Sequence, residues 1–312
     1  MPSLAGTTVV VTGANSGLGY EGSKAFAAAD ATVVMACRSL ARGQEAAEEI
    51  RSELLNSGAE YRLDVRECDL GDLNSVASFA DGVHANYDAV DILCNNAGVM
   101  AIPRSETDDG FETQLGVNHF GHFALTGRLF PLLAASDGEA RVVTQSSGAH
   151  EFGEMDFTDL NWEESYDKWD AYGRSKLANL LFAYELQRKL DEHGIDDVTS
   201  VGCHPGYAAT GLQGRTARES WIPFSGVFWR LANLVLAQSA EQGAWPMLYA
   251  ATADLGGGEY VGPSGFGGMR GAPERQESND ASRDEEDARR LWERSVEDTG
   301  VSFQFEEVAA EA

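Results

Sequence analysis

Lysine is nearly missing from this 312-residue chain: Lys24, Lys168, Lys176 and Lys189 are all there are. Positive charge of any kind is scarce, with 23 Lys+Arg against 50 Asp+Glu and a formal net charge of −27. That balance argues against nucleic acid as a partner, because phosphate binding needs a basic face. It argues equally against docking on an anionic membrane. An acidic, lysine-poor surface resembles that of proteins from salt-loving organisms, where salt screens self-repulsion, so a halophilic origin is the expectation. Cysteine is also sparse. Cys37, Cys68, Cys94 and Cys203 lie far apart in or beside apolar runs, which predicts buried reduced thiols rather than bridges or metal ligands. No uninterrupted apolar run approaches the roughly 18 residues of a membrane span, so no integral membrane segment is expected. The opening MPSLAGTTVVVTG lacks a basic region before its apolar run, unlike a signal peptide, and the cytoplasm is the expected compartment. None of the six histidines falls in an HExxH or Cys/His metal spacing. His119 and His122 are one helical turn apart, and no metal is expected there either. No internal repeat is visible.

What is present is an alternation of strands and helices. Continuous β-rich runs occupy 7–12 (TTVVVT), 32–36 (TVVMA), 61–65, 91–94, 141–145 and 198–203. Helical spacing fills 18–29, 40–55, 73–84, 117–134 and, most strongly, 172–193, where Leu177, Leu180, Leu181, Tyr184 and Leu190 share a face. Apolar strands alternating with helices predict a doubly wound parallel sheet with helices on both faces, the Rossmann type, in a single α/β domain. After about residue 256 the composition turns glycine-rich, then acidic. The expectation is a closing strand, a mobile loop, a docked helix around 289–297 and a frayed end at 306–312.

The first strand runs into TGANSGLG at 12–19. Gly13 permits a tight turn, Gly17 lets backbone approach a pyrophosphate, and Gly19 lets the helix pack close to the sheet. The helix N-terminus then offers unpaired N–H groups to phosphates. Dinucleotide folds often place an acid roughly 20 residues on, for the ribose 2′-hydroxyl of NAD. Here the second strand ends in Cys37-Arg38-Ser39, and a guanidinium at that place favours a 2′-phosphate, hence NADP(H) over NAD(H).

Three more segments sharpen this. The fourth strand ends in Asn95-Asn96-Ala97-Gly98, the fifth in Ser146-Ser147-Gly148, and the long helix opens with Tyr172-Gly173-Arg174-Ser175-Lys176. Tyr172 and Lys176 are i and i+4 on one face. An ammonium beside a phenol lowers the tyrosine pKa, making Tyr172 a proton donor to a carbonyl or a base towards an alcohol. Ser147 leaves a parallel strand at its carboxyl end and its hydroxyl could polarise the same oxygen.

Together TGANSGLG, NNAG, the strand-end serine and YGRSK resemble the short-chain dehydrogenase/reductases over residues 5–262. The resemblance implies that Gly13, Asn15, Ser16, Gly17, Leu18 and Gly19 line the pyrophosphate and that Arg38 selects NADP(H). It implies that Asp69 and Leu70 border the adenine and that Asn96, Ala97 and Gly98 support the adenosine. It implies a catalytic set of Asn118, Ser147, Tyr172 and Lys176, with Asn118 holding a water linked to the lysine and Lys176 also bonding the nicotinamide ribose. Pro205, Gly206, Ala208 and Thr210 would close over the nicotinamide, with alanine at 208 where the family often has a branched residue. CRSLARGQEAAEEI, LGVNHFGHFALT, RVVTQSSGAH, SKLANLLFAYELQRKL and RRLWERSVEDTG resemble more narrowly the retinol-dehydrogenase-like branch, with its protochlorophyllide-reductase-like proteins and ketoreductases. That implies reduction of a carbonyl rather than oxidation of its alcohol. The substrate does not follow from it, since members vary mainly in loops, and an apolar small molecule is implied only by a lid reading of residues 221–236. The apolar stretch 221–236 falls in a substrate-covering segment at about 207–238 and reads as a lid, an interface or a membrane contact. His150 borders either the substrate or only a loop. Residues 263–312 are expected to pack on or near the same domain, and a homodimer through helices 117–134 and 172–193 is expected. A catalytically silent NADP-sensing regulator is the alternative, although such proteins usually lose the tyrosine or lysine. Sugar-nucleotide epimerases share YxxxK but usually carry TGxxGxxG and a larger C-terminal domain.

Overall fold

The computed structural model describes residues 1–206 and 239–311. Its strands are β1 (Thr8–Thr12), β2 (Thr32–Cys37), β3 (Arg62–Glu67), β4 (Ile92–Asn95), β5 (Ala140–Gln145), β6 (Val198–Cys203), β7 (Tyr260–Pro263) and β8 (Pro273–Gln276). They form one sheet in the order β3-β2-β1-β4-β5-β6-β7-β8. The first seven pair in parallel, and β8 closes the edge antiparallel to β7. Alternation along the central strands separates two core layers. Val10, Val34, Leu93 and Val142 face one side, and Val9, Val11, Val33, Met35, Ile92 and Val143 the other. Both faces are covered, so these strands are apolar throughout. All four cysteines are free and buried in these layers.

The helices are α1 (Gly17–Ala28), α2 (Leu40–Glu53), α3 (Leu73–His84), α4 (Gly121–Ala134), α5 (Lys168–His193), α6 (Ala240–Thr252), α7 (Glu285–Thr299) and α8 (Phe305–Glu311). Their starts follow capping chemistry. Ser39, Asp72, Asp167, Ser239 and Asp284 each accept a bond from a first-turn N–H of α2, α3, α5, α6 and α7. Helix α1 differs: Ser16 stands at its N-cap with no side-chain bond, which leaves those N–H groups for another acceptor. The segment ahead of α4 is a π-helical turn, Gly116–Phe120.

Two expectations change here. The sheet gains an antiparallel strand where a mobile loop was expected. PERQ has no strand pattern of its own, and it pairs because β7 presents an open edge. Residues 305–311 form a helix where a frayed end was expected. Phe305 opens a helix and is 8% exposed, packed against Phe130 and Trp292. Phe303 joins the same aromatic cluster with Phe123 and Trp292. The helix pair expected to build a homodimer is buried along most of its length, with exposed residues only at the two ends of α5. Nothing in α4 is exposed, and nothing in α5 from Ala171 to Leu186: α3 packs on α4, and α7, α8 and the turn between them lie over α5 and the outer side of α4. Among the described residues no helix is long and apolar enough to cross a membrane.

Candidate active site

The strand order reverses between β1 and β4, and a ligand crevice belongs at the carboxyl ends there. A cleft of about 420 Å³ opens at that place. It is lined by Gly13, Asn15, Ser16, Gly17, Leu18, Gly19, Arg38, Asp69, Leu70, Asn96, Ala97 and Gly98, all expected from the sequence. The glycine turn is sterically obligatory. Gly13 has φ +66°, and a Cβ on Gly19 would collide with the Gly13 carbonyl and come within 2.6 Å of Asn96 Nδ2. The uncapped start of α1 faces this turn.

Thr12, which the sequence reading passed over, holds the cleft together. Its hydroxyl accepts the Asn96 and Ala97 N–H groups, each at 2.9 Å, while Asn96 Nδ2 donates to the Thr12 carbonyl at 2.8 Å. His122 completes the tie: Nδ1 donates to the Asn118 carbonyl at 3.0 Å, so Nε2 accepts from Thr12 Oγ1 at 2.9 Å. Its only sequence signal was its place four residues after Asn118. His119 instead bonds Ser295 of α7 at 2.7 Å. Both rings are buried, and desolvation pushes their pKa values down, to about 3 for His119 and about 4 for His122. Among the described residues no cluster of His, Cys, Asp or Glu is arranged to hold a metal.

At the far end, Ser39 and Arg42 join Arg38 in the lining, with Asp69 as the single acid among the lining residues. Asp69 is engaged, accepting from Gly71 N at 3.0 Å. That end of the cleft is therefore cationic in an otherwise acidic molecule.

At the inner end Gly98 joins cleft to catalytic constellation. A Cβ there would lie 3.0 Å from Asn118 Oδ1 and 3.5 Å from Lys176 Nζ. Lys176 Nζ donates to the Gln145 carbonyl at 3.1 Å and lies 5.9 Å from the Tyr172 ring centroid. Ser146 Oγ bonds the Lys176 carbonyl at 2.8 Å and thereby docks α5 on the end of β5. The adjacent Ser147 hydroxyl favours the ionised form of the Tyr172 phenol, lowering its pKa against the effect of burial. Asn118 sits in the π-helical turn, a local irregularity frequent at functional sites. Both ends of its amide are engaged: Oδ1 accepts from Val99 N at 2.8 Å, and Nδ2 donates to Val99 O at 3.0 Å and Ser175 Oγ at 2.8 Å. Asn118 thus ties the strand-4 loop to the Tyr172–Lys176 turn.

The electrostatics differ from the sequence expectation in one respect. Burial raises the Tyr172 pKa, with the Ser147 hydroxyl opposing it. Burial also lowers Lys176, to about 8. Desolvation outweighs the Ser147 contribution, so the resting phenol is held in its protonated form.

Pro205 and Gly206 continue from β6, whose end is fixed beside Ser147 by the Ser146 N to Cys203 O bond at 2.7 Å. Ala208, Thr210 and the 221–236 stretch lie outside the described residues. His150 is buried, with Nδ1 donating to the Ser147 carbonyl at 2.7 Å. Phe152 and Trp169, 51% and 43% exposed, flank Tyr172: Trp169 meets it edge-on at 6.4 Å, and Phe152 covers the neighbouring Gly173.

The family described as short chain dehydrogenase matches residues 7–221. Human retinol dehydrogenase 12 is 40% identical over 301 residues, covering 96% of this chain and 89% of its own. Mouse polyprenol dehydrogenase is 39% identical over 307 residues, covering 96% and 86%. The crystal structure of an uncharacterized protein from Mycobacterium paratuberculosis matches with a TM-score of 0.79 at 40% identity, over 97% of each chain.

Proposed function

This chain belongs to the short-chain dehydrogenase family and is retinol-dehydrogenase-like within it, and on that premise we propose that it is an NADP(H)-dependent oxidoreductase interconverting a carbonyl and its alcohol on an apolar small molecule. The observation that carries the reading is the junction at Gly98, where a glycine-walled cleft meets the Ser147–Tyr172–Lys176 cluster. The cleft fits a dinucleotide: an uncapped helix start faces a turn stripped of Cβ atoms, and the opposite end carries two guanidinium groups. Residues 13–19 would hold the pyrophosphate, Asp69 and Leu70 would border the adenine, and Arg38 with Arg42 would hold a 2′-phosphate. A bound nicotinamide supplies or takes up the hydride at the carbonyl carbon.

The chain's own side chains do the rest. Tyr172 gives its phenolic proton to the substrate oxygen in reduction and takes the alcohol proton in oxidation. Ser147 Oγ donates to the same oxygen and stabilises the charge that develops there. Lys176 offsets the charge left on the phenolate. The resting phenol is protonated, which suits carbonyl reduction. Phe152 and Trp169 beside Tyr172 suit an apolar substrate, and relatives named for retinol and polyprenol are named for apolar alcohols.

The test is NADPH and NADH oxidation at high salt with aldehydes of increasing chain length. NADPH is expected to be preferred, and kcat/KM to rise by about fourfold per buried methylene. Cofactor binding without turnover on any carbonyl would instead favour a silent sensor. Equal use of both cofactors would remove Arg38 from its role.

A further inference from the structure

The late glycine-rich stretch, 262–271, plays no part in the chemistry above, yet it is folded tightly around one buried histidine. Strand β7 lies beside β6, with Cys203 opposite Val261, and His204 N continues the pairing by donating to the Val261 carbonyl at 2.9 Å. The His204 ring is 7% exposed and stacks on Tyr260, centroids 5.3 Å apart at 21°. A Cβ on Gly262 would collide with both His204 Nε2 and Gln276 Oε1, so glycine there makes room for a side-chain contact. A Cβ on Gly206 would come within 2.5 Å of the Met269 carbonyl and 2.8 Å of Pro263 Cγ. The β7–β8 hairpin is therefore moulded over the His204–Pro205–Gly206 turn.

Hydrogen bonds run through this contact in one direction only. The Pro263 carbonyl can only accept, and Gln276 Nε2 donates to it at 2.8 Å. That fixes the amide, so Gln276 Oε1 faces His204 Nε2 at 3.0 Å and must accept from it. The single proton of the neutral imidazole is thereby placed on Nε2. Nδ1 is left as a lone pair, and it accepts from Gly206 N at 3.3 Å. The donor at that end is a backbone N–H, which can only donate. Each link is consistent with the next in a single tautomer. Gly206 has φ +67°, a left-handed conformation that the bond from its own N–H helps to hold.

We propose that Gln276 and His204 are positioning residues: acting through the Nε2–H tautomer, they fix the Pro205–Gly206 backbone that the nicotinamide half of the cofactor requires. The proposal rests on the cofactor reading given above. It assigns a purpose to β8, which supplies Gln276, and to the glycines that let the hairpin close.

The two ring nitrogens can be separated by substitution. Asparagine at 204 can return an acceptor near the Nδ1 position, and glutamine can return a polar group near the Nε2 position. Two probes are measured by fluorescence titration: NADPH, and 2′-phospho-adenosine-diphosphoribose, which lacks the nicotinamide. The expected result is that His204→Gln weakens NADPH binding about three- to tenfold, as befits one lost hydrogen bond. His204→Asn is expected to stay within about twofold of wild type, and both variants to bind the truncated probe as wild type does. Gln276→Leu, at a half-buried strand position, frees the tautomer and is expected to behave like His204→Gln; it carries the test where a histidine variant does not fold. Equal loss of both probes would mark a merely structural role and overturn the proposal. So would NADPH binding that is unchanged in His204→Gln and Gln276→Leu. A wild type that binds neither probe would instead overturn the cofactor reading itself.

Discussion

Tyr172 is buried on α5 one turn before Lys176, and its acid–base behaviour is set by how much water its neighbours exclude. Its i, i+4 pairing with Lys176 was visible in YGRSK, because helical spacing alone puts both on one face. The direction of its pKa was not, since it depends on how completely neighbours exclude water. Burial raises the phenol and depresses the ammonium to about 8, so the acid form dominates at neutral pH. Reduction needs that acid form, so its kcat is expected to stay level through neutral pH and fall only on the alkaline side. Oxidation needs the phenolate and is expected to climb over the same range. A pH–rate profile in both directions checks the sign, and a reduction rate that falls on acidification from pH 8 to 6 would contradict it. Arg38 lines the cleft and stands where an acid would select NAD. Arg38→Asp is expected to weaken NADPH relative to NADH by about 10- to 100-fold, the worth of a charge-assisted contact to phosphate. Arg42, which shares the cleft wall, is the residue to change next if Arg38→Asp leaves the preference intact.

At the scale of elements, the central strands and the glycine turn were readable because each carries its own signal: unbroken β-branched runs, and glycines at fixed spacing. Strand β8 had none. PERQ is polar and short, and only the edge of β7 makes it a strand. The π-helical turn at Gly116–Phe120 was read as ordinary helix, since nothing in GVNHF announces the extra residue. The glycine turn makes a direct prediction. Gly19→Ala drives a methyl into the Gly13 carbonyl, so it is expected to cost about 1–3 kcal/mol of stability and to weaken cofactor binding sharply. Denaturation and titration together check it; an alanine variant that binds normally would contradict the packing described. The two buried histidines make another. Both are held neutral in the folded chain, at about 3 and about 4, whereas the unfolded chain takes up protons near 6.5. Stability is therefore full above pH 6.5 and is lost as pH falls towards 4, by about 1.4 kcal/mol per pH unit for each histidine. His119→Phe, in a pocket already lined by Phe120, Phe123 and Phe182, is expected to flatten that acid slope. An unchanged slope in urea midpoints would assign the acid sensitivity elsewhere.

At the scale of the whole molecule, the C-terminal segment matters more than its composition suggested. Its acidic residues hid Phe303 and Phe305, which seal the outer side of α4 and α5. Phe305→Ala is expected to cost about 3 kcal/mol, and a chain ending at Gly300 to lose more and to expose an apolar helix face. Because that face is covered, the intact chain is expected to sediment without a dimer built on α4 and α5. A dimer abolished by changes on those helices would contradict this. The net charge of −27 predicts a folded state that weakens as salt is withdrawn, through unscreened repulsion. Full stability in dilute buffer would remove that expectation.

In the proposed reaction Tyr172 passes a proton to a carbonyl oxygen in a site that holds NADPH. The most direct test follows a single turnover of NADPH oxidation with an apolar aldehyde, in wild type and in Tyr172→Phe. The variant is expected to bind NADPH within about twofold of wild type, while its turnover falls by about 10²- to 10⁴-fold, the usual contribution of a general acid. A phenylalanine variant that retains most of its turnover, or a wild type that oxidises no NADPH with any carbonyl, would contradict the account.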